Sequence, residues 1–343
     1  MRLSVLDQSP IREGGTASDA LRETIALARH VEALGYERFW IAEHHGSAGL
    51  ASSAPEVLIG QVAAQTSRLR VGSGGVMLNH YSSLKVAEQF KTLEALFPGR
   101  IDLGVGRAPG SSLRHAQALE HGPGALSLEY YPSQVEDLLF YLADAMPADH
   151  PFADIRATPT VEGVPDVWVL GSSLESAVLA GELGLPFCFA QFINQEAGER
   201  AMAVYRQRFR PSEWCEAPRG SVAVSTLCAP TEEEAMRLSW SRYCWRFRRG
   251  SGVPSVETAL AFDYSEPELA YIEYSRPRSA IGDPEQVKAR LAGLAGQFEV
   301  DDLVLVTITY DFADRLRSYD LIAETFALQP SGAPPAPEAE ASS

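Results

Sequence analysis

The chain has 343 residues, 45% of them apolar and 22% charged, a composition that supports a large buried core and excludes a fibrous or wholly disordered protein. Its formal net charge of −16 opposes nucleic acid and anionic membrane surfaces, so an anionic ligand would need a local positive site. Cys188, Cys215, Cys228 and Cys244 form no CxxC pair, which argues against a disulfide framework or a zinc site. The start, MRLSVLDQSP, carries no apolar signal region, and no run reaches transmembrane length. A cytoplasmic protein without metal, membrane or nucleic-acid partners is expected.

Short aliphatic runs alternate with helical patterns along the chain. Strands are expected at Leu3–Leu6, Arg38–Ala42, Arg70–Leu78, Ile101–Val105, Val167–Leu170, Phe187–Gln191, Val222–Leu227 and Leu303–Thr307. Most are nearly continuous apolar runs, as parallel strands covered on both faces require. Helix starts are signalled by Ser53-x-x-Glu56, Ser172-x-x-Glu175 and Thr231-x-x-Glu234, which read as capping boxes, and by Asp283-Pro284. Gly35 and Phe97-Pro98-Gly99 read as helix stops, and the last helix repeats its apolar face through Leu316, Tyr319, Ile322 and Phe326.

Eight strands alternating with helices predict an α/β fold, a closed (β/α)8 TIM barrel over residues 1–328; an open doubly wound sheet is the alternative. Met236–Ala280 is a long insertion between the seventh and eighth expected strands, of a length typical of lids. Residues 329–343, QPSGAPPAPEAEASS, read as a disordered Pro/Ala/Glu tail.

Barrel enzymes place their chemistry at the C-terminal ends of the strands. Those ends offer Gln8, Glu43-His44-His45, Gly74-Gly75, Gly106-Arg107, Gly171-Ser172-Ser173, Gln191 and Thr307. Gly171, Ser172, Ser173 and Ser176 span a strand end and a helix start, where free N–H groups and hydroxyls suit an anion such as phosphate. An ordinary capped turn fits the same residues. Arg107 offers the planar donor fork that phosphate takes, and a surface ion pair is its other reading.

His44 or His45 can act as acid or base. Strand alternation lets one or two of Glu43, His44 and His45 enter a single pocket, and adjacent histidines make a poor metal site. Gly74-Gly75 inside a strand implies close approach of a ligand, or a cis peptide, with a bulge as the plain alternative. Gly72-x-Gly74 and Gly104-x-Gly106 do not complete a dinucleotide fingerprint, so no built-in nicotinamide site is expected. Arg242, Arg246 and Arg249 share a helical face among aromatic residues, a pattern that reads as a solvated face.

In order and spacing, IAEHH, VGSGGVML, VAEQFKTLEALFPGRIDLGVGRAPG, VWVLGSSLESA, GDPEQV and DDLVLVTITYDFADRLRSYDLIAE resemble the bacterial luciferase-like flavin monooxygenases. The resemblance spans about Arg2 to about Leu328 and is nearest to the stand-alone members. It implies a barrel that binds FMN as FMNH2, supplied by a separate NAD(P)H:flavin reductase, and a homodimer. FMNH2 would react with O2 to give a C4a-hydroperoxide that oxygenates a small organic substrate. For stand-alone members an aromatic polyketide of antibiotic biosynthesis is the expected substrate class.

By matching motif, the resemblance makes Arg107, Ser172, Ser173 and Ser176 the phosphate holders and His44 the active-site histidine, beside Glu43. It sets Gly74 and Gly75 against the flavin ring through a cis peptide. Gly106, where the light-emitting α chain has a reactive cysteine, and the mouth sequence Asn79-His80-Tyr81 depart from the light-emitting enzymes. An F420-dependent oxidoreductase on the same barrel and a non-catalytic flavin-binding protein are the competing readings.

Overall fold

A computed structural model describes residues 1–107, 113–119, 128–248 and 252–330. Nine strands follow in chain order: β1 (Arg2–Asp7), β2 (Arg38–Ile41), β3 (Arg70–Met77), β4 (Ile101–Gly106), β5 (Asp166–Gly171), β6 (Phe187–Ala190), β7 (Gly220–Cys228), β8 (Ala280–Gly282) and β9 (Asp302–Val306). β1 pairs with β2 and β9, while β6 pairs with β5 and β7, so eight parallel strands close into a barrel. The closed (β/α)8 architecture expected from the sequence is present, and the open sheet is excluded.

β8 was not expected. It pairs with the far end of β7, Thr226 to Cys228, and its three residues are too few to show any alternation. The stretch Met236–Ala280 is helical over much of its length, with helices at Glu232–Phe247, Val256–Leu260 and Glu266–Ser275. Arg249 lies outside the described residues, as do residues 331–343 of the expected tail. Gln329 and Pro330 pack over Gly35, where the first helix (Ala17–Leu34) stops in a left-handed turn at φ 91°. Among the described residues no helix is long and apolar enough to cross a membrane.

Two helix starts differ from the sequence expectation. The helix Pro55–Ala64 is preceded by Ala54 rather than capped by Ser53, because Pro55 occupies the first helical position, where its fixed φ and missing N–H are tolerated. At Leu174–Glu182 the cap is Ser173, not Ser172; its extended backbone lets its hydroxyl accept from the Ser176 amide. Asp283 caps as expected; Thr231 accepts from the Glu234 amide, but the expected box is not closed because the Glu234 carboxylate bonds Arg237 instead. Along the last helix (Phe312–Phe326), Tyr319 and Ile322 are buried, with Leu316 and Phe326 packed beside them.

Alternation along the strands divides the core in two. Leu3, Val5, Phe39, Ile41, Val71 and Leu103 face outward into the helix layer, whereas Leu6, Trp40, Trp168, Ala223 and Val304 fill the barrel interior. The N-terminal end of the barrel is plugged by charge. Arg38 bonds Asp102 at 3.1 Å and Asp302 at 3.0 Å, and Trp40 Nε1 donates to Asp102 at 2.9 Å. Burial raises the Asp102 and Asp302 carboxyls, and the adjacent guanidinium groups oppose that rise. With that end sealed, the C-terminal mouth remains open.

Candidate active site

A cavity of about 940 Å³ opens at that mouth, at the upper end of the size range of small-molecule sites. Its floor includes Leu6, Trp40, Gly74, Gly75 and Leu170, and its walls come from the segments that follow the strands. The polar groups converge there although they lie far apart in sequence.

β2 ends at Ile41, so the backbone leaves the pleated ladder before the acidic and histidine residues arrive. Strand alternation therefore stops applying, and Glu43, His44 and His45 all line the cavity. This corrects the expectation that at most two of them could enter. Glu43 is 2% exposed, and its carboxylate accepts from His45 Nε2 at 2.7 Å, Tyr81 Oη at 2.7 Å and the Met77 amide at 3.0 Å. Burial, reinforced by the Glu43 charge, raises the Tyr81 hydroxyl well above its ordinary pKa, which keeps it a donor.

His44 differs from its neighbour. Its Nδ1 is buried and has no hydrogen-bond partner among the described residues. Burial, with a smaller contribution from His45, pushes its pKa down to about 4. At neutral pH it is an uncharged imidazole that lines the cavity.

The Gly74-Gly75 peptide is cis, and the β3–β4 register shifts between Gly74 and Val76. The barrel itself demands these glycines. A Cβ at Gly75 would sit 2.6 Å from the Gly104 carbonyl oxygen, and one at Gly74 would meet Leu6 and lie 2.9 Å from Trp40 Cβ. Close approach of neighbouring strands thus accounts for both, and the bare backbone left behind faces the cavity.

Arg107 follows the last residue of β4 and lines the cavity with Gly171, Ser172, Ser173 and Ser176. Ser173 and Ser176 hydroxyls lie 3.1 Å apart, and the Ser172 carbonyl accepts from Asn194 Nδ2 at 2.9 Å. Gly171 cannot be larger, because a Cβ would strike the Ser176 side chain. Glu175 is held below its usual pKa chiefly by the Ser173 hydroxyl, with a smaller contribution from Arg107. The guanidinium and the serine turn share one wall.

Other sequence candidates lie elsewhere. Gln191 is buried and donates to the Arg278 carbonyl, and Thr307 is fully buried; neither lines the cavity. Asn79 and His80 are buried in a short 3-10 turn and do not line the cavity, and Tyr81 reaches it through Glu43 and, at 3.3 Å, His45 Nε2. Gln8 does line it. The reading of that helical face as solvated is corrected for Arg242, which is half-buried; Arg246 is exposed as expected, and both line the cavity together with Tyr243 and Trp245. Helical spacing showed the shared face, but only the position of Glu232–Phe247 over the mouth shows what that face covers.

The sequence profile described as luciferase-like monooxygenase matches residues 1–298. The chain belongs to the luciferase-like monooxygenase family. It is 49% identical over 331 residues to the Bacillus subtilis protein YwcH, covering 95% of this chain and 99% of the relative. To the N-acetyl-S-alkylcysteine monooxygenase of the same organism it is 40% identical over 333 residues, covering 94% and 98%. The crystal structure of apo-MsnO8 superposes with a TM-score of 0.88 at 39% identity, covering 96% of this chain and 99% of the other. This luciferase-like monooxygenase is therefore matched across nearly its whole length, and one of these relatives is named for oxygen-transfer chemistry.

Proposed function

We propose that this enzyme uses FMNH2 and O2 to place one oxygen atom on a small organic substrate, the second oxygen leaving as water. FMNH2 would come from a separate NAD(P)H:flavin reductase, and the proposed assembly is a homodimer. One observation carries the reading: a single cavity is lined by His44, the bare backbone of Gly74-Gly75, Arg107 and a serine-rich helix start.

Those residues fit FMN. A flat ring system needs a floor without side chains, which Gly74 and Gly75 supply. A phosphate needs donors, which Arg107, the hydroxyls of Ser172, Ser173 and Ser176, and the free N–H groups of the helix start supply. When bound, reduced flavin supplies the electrons that activate O2.

The chain's own groups do the rest. His44 is neutral at physiological pH and lines the cavity, so its imidazole can hold or pass a proton there. Glu43 fixes His45 and Tyr81, which keeps the wall beside His44 rigid. Trp40, Met77, Leu170 and Phe192 give the cavity apolar surface that excludes water from the reacting atoms.

The test is oxygen uptake and product formation by FMNH2-loaded enzyme with a panel of acceptors, compared with F420H2 under nitrogen. The panel holds aromatic polyketides, the class expected from sequence, and N-acetyl-S-alkylcysteines, the class in a relative's name. Turnover with FMNH2 and O2 supports the proposal. Turnover with F420H2 under nitrogen, and none with FMNH2, rejects it.

A further inference from the structure

Arg242 and Arg246 stand one helical turn apart on Glu232–Phe247 and both line the mouth cavity. The helix follows β7, whereas Arg107 follows β4, so the two basic groups rise three strands apart around the barrel. Ion pairs occupy the arginines just before and after them: Arg237 bonds Glu234 and Arg248 bonds Glu13. Neither Arg242 nor Arg246 pairs with a carboxylate among the described residues, although the chain holds 45 acidic residues.

Aromatic rings support them instead. The Arg246 guanidinium carbon lies 4.4 Å from the Tyr271 ring centre, and that of Arg242 lies 6.0 Å from the Tyr243 ring centre. A ring contact uses none of the N–H donors of a guanidinium, so those of Arg246 remain available for an anion, and the looser approach of Arg242 to Tyr243 leaves its donors available too. Burial, with a smaller contribution from Arg246, pulls the Arg242 pKa below the ordinary arginine value. A half-buried cation without an anion is costly, and a bound anion offsets that cost.

FMN carries a single phosphate, and Arg107 with the serine turn accounts for it. A second basic pole in the same cavity calls for a second anion. We propose that Arg242 and Arg246 form an anion subsite in the cavity wall and that the oxygen acceptor is an organic acid, carrying a carboxylate or sulfonate. This rests on the FMN-dependent reading above and adds the charge of the substrate to it. Arg242 is the main holder, being the more buried, and Arg246 is its auxiliary.

The experiment titrates phenylacetate, decanoate and octanesulfonate into FMN-loaded enzyme by calorimetry, with phenylacetamide and decanamide as neutral matches. At least one acid should bind roughly tenfold more tightly than its neutral match, the value of one charge-assisted bond pair. R242M should erase that preference and R242K should restore part of it, while FMN affinity changes by less than about threefold. No preference for any acid, or a preference that survives in the R242M/R246M double variant, overturns the proposal. So does a loss of FMN but not riboflavin binding in R242M, which would make Arg242 a phosphate holder and leave the flavin reading standing. If the wild-type enzyme binds no flavin, the functional reading fails, and the same titrations on flavin-free protein decide the subsite alone.

Discussion

Glu43 Oε1 lies 2.7 Å from His45 Nε2, joining two residues just past the end of β2 into one fixed unit. The same oxygen takes the Tyr81 hydroxyl at 2.7 Å, and the other carboxylate oxygen takes the Met77 amide. Glu43→Gln keeps the shape but replaces a charged acceptor with a neutral amide. It should cost about 1.5–3 kcal/mol of stability, the worth of hydrogen bonds to a charged group. Turnover should fall at least about tenfold through loss of wall geometry, while flavin binding is nearly kept. Urea unfolding and product assays on the purified variant measure both; unchanged turnover would remove Glu43 from the site.

His44 supplies a pH dependence with a definite sign. Its pKa is about 4 in the fold and near 6.5 when unfolded. Between those values the unfolded chain binds the proton and the folded one does not, so stability falls as pH drops from about 6.5 to about 4. The loss attributable to this group by pH 4 is of order 3 kcal/mol, at about 1.4 kcal/mol per pKa unit. Wild type and His44→Asn should therefore diverge in unfolding free energy between pH 7 and pH 4, with wild type losing more. Parallel curves would show that His44 is not held neutral by burial.

Arg107→Ala should weaken FMN by roughly ten- to a hundredfold, as removal of a charge-assisted phosphate contact does. Riboflavin lacks the phosphate, so its affinity should scarcely change. Fluorescence titration of both ligands against both proteins gives the comparison. Equal losses for the two flavins would reject Arg107 as the phosphate holder.

Gly75→Ala should be the more damaging of the two floor substitutions. The added Cβ would press on the Gly104 carbonyl oxygen at 2.6 Å, which is backbone and cannot swing away, whereas at Gly74 part of the clash is with the flexible Leu6 side chain. An overpacking cost of about 1–3 kcal/mol is expected at Gly75, with a smaller one at Gly74. Thermal unfolding of the two variants checks the order, and a Gly75→Ala protein as stable as wild type would contradict the packing argument.

The barrel was legible because its strands, buried on both faces, are nearly unbroken aliphatic runs, and because Gly35, Thr231 and Asp283 punctuate the helices with local chemistry. β8 was not legible, since three residues carry no period. The serine turn and Arg107 could be named from position at a strand end, yet which serine caps the helix depended on backbone angles. For Glu43, His44 and His45 the sequence argument carried strand alternation beyond the strand: β2 stops at Ile41, and all three residues line the cavity. Arg242 and Arg246 were seen as a stripe, and the exposure of Arg246 was read correctly, but the cavity beneath was missed, because a helical face declares its shared direction and not what lies opposite. The partnerships of Glu43 with Tyr81, and of Gly75 with Gly104, join distant segments and had no sequence signal.

The most direct test of the central claim is isotopic. FMN, a flavin reductase and NAD(P)H are combined with the enzyme and an acceptor that it turns over, under 18O2, and the product is examined by mass spectrometry. The account predicts one 18O atom in each product molecule, no label when H2 18O replaces 18O2, and no product when the flavin is omitted. A product that forms without label from 18O2, or that forms under nitrogen with F420H2 as the sole reductant, would contradict it.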